Sequence, residues 1–307
     1  MHTTIRIRPA RVATIAALCG ALCVDLGPAT CADSLPADPE NPGQASSALP
    51  EVTGEEQQVT LRQRVEAFVR GVTQNPGFSD YESLVRWNAP ICPFAAGLSK
   101  EDSKTVSARL TQVIFAAGAP LATEPCQPNF SVIVTSEPGR VLKAWYARNQ
   151  QLFGDATPSQ IRRFLDSSGS RPILVWRNID RGRMAGKRLG HFIPSNNNAE
   201  SSAFVRNAVL NFFSVFAIVD TNLASHVTLQ QQADYVAMTG LSNVDLDANI
   251  GSAPSILRLF VSSSTPPPGL SPWDAAFIKA LYQSDQASRS QRADIVERVM
   301  SEIAHSK

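Results

Sequence analysis

The stretch Phe212 to Val219 is apolar apart from Ser214 and is bounded by Asn211 and Asp220. Eight residues are too few to cross a bilayer core of about 30 Å, and they suit a strand buried on both faces. A strand of that kind must lie inside a sheet covered on each side. The rest of the chain therefore has to supply cover, and its helical periodicities show where the cover comes from.

Val59, Leu61, Val65, Phe68, Val69 and Val72 recur at three and four residue spacings, predicting an amphipathic helix that ends near Asn75-Pro76-Gly77. A second helix is expected over Tyr81 to Trp87, and a third over Ser103 to Ala117 through Val106, Leu110, Val113 and Ile114. Phe130 to Val134 and Pro172 to Ile179 read as strands, and Val141 to Arg148 as a helix. Thr157-Pro158-Ser159-Gln160, Thr228-Leu229-Gln230-Gln231 and Ser271-Pro272-Trp273-Asp274 each open a helix, with an N-cap hydroxyl and a reciprocating side chain at the third helical position. The helix from Thr228 is expected to stop at Gly240. Strands set singly among helices imply an α+β fold, one globular domain with helices packed on a small mixed sheet.

The N-terminus predicts export from a bacterial-type cell. Arg6, Arg8 and Arg11 precede the apolar run Val12 to Val24, 13 residues long, and Gly27, Ala29, Thr30 and Ala32 are small. Residues 1–32 read as a signal peptide cut after Ala32, with Ala29 as the other candidate, so the mature protein is expected to be periplasmic or secreted. Residues 33–56, with Pro36, Pro39, Pro42 and Pro50 among Ala, Ser and acidic residues, read as a disordered linker, leaving residues 57–307 as the domain. Removing Arg6, Arg8, Arg11 and Asp25 from totals of 28 Lys+Arg and 27 Asp+Glu leaves 25 against 26, a net charge of −1. A balance so near zero gives no global field favouring nucleic acid or an anionic membrane.

Two cysteines lie beyond the leader, Cys92 in Ile-Cys-Pro and Cys126 in Pro-Cys-Gln-Pro. In an oxidising compartment they are expected to pair, bracketing the Ser103 to Ala117 helix and closing a loop of about 35 residues, worth roughly 3 to 4 kcal/mol in the chain-entropy model. Their spacing is not that of a reactive Cys-x-x-Cys couple.

Chemistry-bearing patterns are few. Asp245-Leu246-Asp247-Ala248-Asn249 spaces oxygen donors as a calcium loop does, but Ile250 stands where that loop needs Gly and Ile256 where it needs Glu, so a polar turn is expected. Arg177, Arg181, Arg183, Lys187 and Arg188 are opposed only by Asp180, a cluster able to hold a phosphate or an anionic envelope polymer or simply to line a solvated hairpin. There is no Gly-x-Ser-x-Gly elbow and no Gly-rich phosphate loop, and His191, His226 and His305 lack a partner four residues away.

Between Gln232 and Tyr282 the order of features resembles zinc peptidases of the metzincin and related zincin type. Those proteins carry His-Glu-x-x-His on a helix, a Gly-Leu after it, a Ser-Ile-Met turn and a Leu-Ser-x-x-Asp helix ending in Leu-Tyr. Gly240-Leu241, Ser255-Ile256-Leu257, Leu270-Ser271-Pro272-Trp273-Asp274 and Leu281-Tyr282 match the scaffold half. In that register the histidine positions are Ala233 and Ala237 and the glutamate position is Asp234; alanine has no lone pair for zinc. No metal or other cofactor is therefore expected.

From about Leu61 onward the chain also resembles an uncharacterised family of exported proteobacterial proteins. The phrases that carry this are Trp87-Asn88-Ala89-Pro90-Ile91-Cys92-Pro93, Leu142-Lys143-Ala144-Trp145-Tyr146, Ala233-Asp234-Tyr235-Val236-Ala237-Met238 and Ala253-Pro254-Ser255-Ile256-Leu257.

Two readings follow. One is a non-catalytic module that binds an envelope protein or small ligand, with no membrane span after leader removal. The other is a hydrolase that works without the zinc set, using Asp234 or the Asp245/Asp247 pair as acid and base.

Overall fold

In the computed structural model, residues 54–73, 83–181, 183–184, 187–188, 209–247, 249–262 and 265–305 are described; at 54–59, 181, 183–184 and 187–188 the description covers the backbone. The expected leader at 1–32 and nearly all of the linker lie outside these residues. The linker's expected end at residue 56 falls inside the first helix, α1 (Gly54–Thr73), which buries Val65, Phe68, Val69 and Val72.

After α1 come β1 (Arg86–Trp87), β2 (Pro93–Ala96), α2 (Lys100–Ala116), β3 (Phe130–Thr135), α3 (Pro138–Arg148), α4 (Pro158–Asp166), β4 (Ile173–Arg181), β5 (Arg183–Met184), β6 (Lys187–Arg188) and β7 (Leu210–Asp220). The chain then forms α5 (Leu229–Leu241), a short 3-10 turn (Ile256–Arg258), α6 (Pro272–Gln283) and α7 (Gln291–His305). Strands β1, β2, β3, β4 and β7 make one sheet, and the helices pack on it in an α+β arrangement. No helix among the described residues is long and apolar enough to cross a membrane.

The apolar run becomes β7, and it is central. β4 pairs with it antiparallel from Ile173↔Val219 to Arg181↔Leu210, occupying one edge. The other edge is shared by β1, parallel at Arg86↔Asn211 and Trp87↔Phe212, and by β3, parallel from Phe130↔Val215 to Thr135↔Asp220. β2 extends the sheet beyond β3. Opposite the gap between β1 and β3, β7 carries a bulge: Asn178 faces Ser214 and Ile179 faces Phe212, so Phe213 has no partner. The extra residue switches the side-chain alternation. Leu210 and Phe212 share the main core with Val215, Ala217 and Val219, while Phe216 and Ile218 turn to the opposite face.

The main core lies between that first face and α1, α2, α5, α6 and α7. The second face is covered by α3, α4 and the 3-10 turn between them (Gln150–Phe153) through Leu142, Phe153, Ile161 and Leu165, with Trp145, Phe164 and Trp176 meeting Phe216 edge-on or stacked. All three predicted capping boxes form at Thr157/Gln160, Thr228/Gln231 and Ser271/Asp274. Cys92 and Cys126 are joined as a disulfide with Cα atoms 6.0 Å apart, bracketing α2.

Two local expectations are corrected. Tyr81 to Trp87 is not a helix: residues 83–85 are irregular, residues 86–87 form β1, and residues 81–82 lie outside the description. The cause is tertiary. The Arg86 guanidinium donates from Nη1 to the carbonyls of Leu281 (2.7 Å), Tyr282 (3.0 Å) and Ser284 (2.9 Å), and Trp87 is fully enclosed between Phe130 and Phe212. Gly240 does not stop α5, which runs to Leu241. A Cβ there would lie 2.4 Å from Cζ of Phe130, so Gly240 lets the helix approach β3.

Gly240→Ala is expected to destabilise the fold by about 1 to 3 kcal/mol despite the better helix propensity of alanine. Phe130→Leu should recover part of that loss in a double-mutant cycle read by urea denaturation. A neutral or stabilising Gly240→Ala would show that α5 is not held this close.

Candidate functional site

The candidate site is α5, because the zincin-like register falls on it. Residues Ala233 to Leu241 are all buried, so the helix has no solvent-facing stripe over its second half. Ala233 is 1% exposed and Ala237 is fully buried; both methyls lie in the main core. These positions offer packing surface and no donor atoms.

Asp234 is fully buried in the same helix. Arg109, projecting from α2, meets it with a two-point fork: Nε donates to Oδ1 at 2.6 Å and Nη2 to Oδ2 at 3.1 Å. The backbone N–H of Leu270 donates to Oδ2 at 3.0 Å. Gly269 closes the remaining approach, since a Cβ there would lie 2.6 Å from Oδ2. Arg109 itself is held by Gln112, whose Oε1 accepts from Nη1 at 2.6 Å. The carboxylate is thus charge-compensated, hydrogen-bonded and sealed from substrate.

A helix end buried this deeply leaves four carbonyls without intrahelical partners. Each of the last four of α5 accepts from a side chain. Met238 O accepts from Ser242 Oγ (2.6 Å), Thr239 O from Arg177 Nε (2.6 Å), Gly240 O from Trp87 Nε1 (2.9 Å) and Leu241 O from the Tyr282 hydroxyl (2.9 Å). These donors come from the loop after α5, from β4, from β1 and from α6. Burial lowers the Arg177 guanidinium to about 10 and pushes the Tyr235 phenol, one turn earlier on α5, up to about 12.

The Ser255-Ile256-Leu257 turn packs under α5 with Ile256 fully buried. Asp274, in the first turn of α6, fastens it: Ser255 Oγ donates to Oδ1 at 2.5 Å, and the N–H groups of Ile256 and Ser271 donate to Oδ2 at 2.8 and 2.9 Å. Among the described residues no cation pairs with this carboxylate. Burial raises its pKa against the pull of those hydrogen bonds.

The remaining candidates scatter. Asp245 accepts from the N–H of Asp247, Asn249 accepts from that of Gly251, and Asp247 Oδ2 pairs with Arg171 Nη2 at 2.6 Å, so this stretch is a self-bonded turn. Arg177 leaves the basic cluster, because its Nε caps α5 from the inner face of the sheet. Arg181 ends β4, while Arg183, Lys187 and Arg188 fall on the β5–β6 ribbon. His226 is exposed against the edge of Phe260, His305 is exposed on α7, and His191 lies outside the described residues. Among the described residues no three His, Cys, Asp or Glu side chains gather as a metal site.

Arg109 carried no signal in the sequence, since 125 residues separate it from Asp234. Trp87 and Tyr282 stand in the phrases that carry the two resemblances, but nothing local marks them as helix caps.

Arg109→Met is expected to cost about 3 to 5 kcal/mol by stranding the Asp234 charge, and adding Asp234→Leu should return most of it; chemical denaturation of the single and double variants checks this. Asp274 gives a pH signature. Its folded pKa lies above its unfolded value, so the native state binds the extra proton in the window between them, and stability is lost as pH rises through that window. Thermal unfolding should show the advantage of the parent over Asp274→Asn narrowing from about pH 4 upward. A gap independent of pH would assign Asp274 an ordinary pKa.

Comparison with protein-family models, with curated proteins and with solved structures finds no match for this chain.

Proposed function

We propose that this chain is an exported, non-catalytic binding module of the periplasm or extracellular space, built on a zincin-like scaffold and related to the uncharacterised exported proteobacterial family it resembles. The observation that carries the reading is the enclosure of Asp234. The side chain in the glutamate position of the zincin-like register is neutralised by Arg109 and covered by Gly269, and its flanking positions are alanine methyls packed in the core. A general base must reach a substrate proton or an attacking water. Asp234 reaches neither, while the scaffold elements of the pattern serve to hold α5: Gly240 in its approach to β3, Tyr282 as a cap, and Asp274 on the Ser255 turn. Asp245 and Asp247 belong to an exposed turn tied to Arg171.

The sheet supplies a surface for binding. β4 pairs with β7 on one side only, and from Ile173 to Ile179 no described residue hydrogen-bonds to its outer edge. An open edge of that length offers main-chain pairing to an extended segment of a partner protein.

Two measurements on the mature protein test this. Elemental analysis should find no stoichiometric zinc, and peptide mixtures should remain uncut. Extended peptides selected by display should slow amide exchange at 173–179 on binding. Bound zinc together with metal-dependent hydrolysis would overturn the reading.

A further inference from the structure

The C-terminal half of α2 leaves an aromatic ring bare. From Leu110 to Thr123 no residue is charged, and on the solvent side of that stretch Phe115 is 78% exposed, far more than any other large apolar side chain among the described residues. Its neighbours on the helix surface, Thr111 and Gln112, are uncharged, and so is Gly118 beyond the helix end. No long charged stem therefore folds over the ring. A single exposed ring is ordinary on a protein surface. This one stands beside a cavity.

The cavity, about 370 Å³, opens between α2 and the α6–α7 pair, and its apolar lining includes Val113, Ala116, Leu270, Ala276 and Ile278. Gln112 and Ala116 are the part of the lining that borders Phe115, three residues before it and one after, and both are exposed. The cations at the rim are already paired: Arg109 is forked onto Asp234, and Lys279 Nζ meets Glu302 Oε1 at 2.5 Å.

Ring and cavity thus lie side by side on a face with no net charge. A surface that meets its own copy across a twofold axis brings charges near their like, so a neutral face is the one suited to self-association. A strongly charged partner of either sign finds nothing there to pair with. Size matches as well. An apolar cavity of about 150 Å³ holds a benzene ring, so this one has room for a phenylalanine side chain.

We propose that this face is an isologous interface between two copies of the chain, in which Phe115 of each copy enters the cavity beside α2 of the other. The contact involves neither the β4 edge nor the chemistry of Asp234, and it stands apart from the reading of the chain as a binding module. Phe115 is the aromatic anchor and the cavity its pocket, the pairing around which such interfaces are built. With one anchor a side, the dimer should be weak, dissociating in roughly the micromolar range.

The test is sedimentation equilibrium of the full mature chain between about 1 µM and 1 mM. The parent is expected to pass from monomer to dimer across that range, with little change between about 50 and 500 mM salt because the rim charges are already paired. Phe115→Ser should weaken association by about a hundredfold or more, roughly tenfold for each of two lost anchors. Ala275→Gln, at an exposed α6 position in the cavity wall, should do the same by filling the pocket with a neutral side chain. Both positions are exposed, so the variants should melt with the parent. Mixed together they regain one of the two contacts, since the ring of the Ala275→Gln chain meets the open cavity of the Phe115→Ser chain. The mixture should therefore associate more tightly than either variant alone, which a general loss of structure would not produce.

A parent that stays monomeric up to about 1 mM overturns the proposal, whether the face is bare or takes some other occupant. Dimerisation that survives both substitutions also overturns it and moves the contact to another face. A mixture with no gain over the separate variants does the same, and assembly that continues past the dimer overturns the twofold arrangement.

Discussion

The architecture depends on one constraint, the burial of the C-terminal end of α5. An α-helix cannot satisfy its last four carbonyls from within, and in water the solvent does so. Here the end is enclosed, and the donors must come from the protein: Ser242, Arg177, Trp87 and Tyr282. Leaving any one unpaired would cost of the order of 1 to 3 kcal/mol. Because the donors sit on β4, β1, α6 and the following loop, satisfying the helix end also sets the positions of those elements. Arg86 does the same for α6, collecting the carbonyls of Leu281, Tyr282 and Ser284, so the short strand β1 owes its placement to two helix ends.

Asp234 and Asp274, both fully buried, illustrate different solutions to one problem. Burying an ionised carboxyl is costly unless it is paired or hydrogen-bonded. Asp234 is paired with Arg109, which compensates its charge. Asp274 has no cation beside it among the described residues and is surrounded by hydrogen-bond donors from Ser255, Ile256 and Ser271, which makes it a clasp between the turn under α5 and the start of α6. A buried acid is often read as a catalytic signal. In this protein each is better explained by the helix it secures.

Much of the local structure was legible. The capping boxes at Thr157, Thr228 and Ser271 rest on hydrogen bonds made within four residues, so local sequence was sufficient to place those helix starts. The helical periods of α1 and α2 and the run that became β7 were equally plain, because periodic burial is written directly into residue type. The C-terminal helix α7, which buries Ile295, Val299 and Ile303, was not read from the sequence, and neither was the short edge strand β2. Gly240 was misread because a glycine after an apolar period is ordinarily a stop, whereas here it makes room for the Phe130 ring. Within the site, Asp234 was identified, but its partner Arg109 was not.

Residue order alone is enough for the α+β class, the disulfide between Cys92 and Cys126, the capped helix starts and the alanines at positions 233 and 237, which carry no donor for zinc. Each of these rests on residue chemistry or on bonds between near neighbours, apart from the disulfide, which joins the two of the five cysteines that lie beyond residue 32. Tertiary structure alone decided that residues 86–87 are a strand, that β7 bulges at Phe213, and that Asp234 is a closed ion pair. Those outcomes depend on groups distant in sequence meeting in an interior from which water is excluded. There an unpaired polar atom costs more than any local propensity can offset.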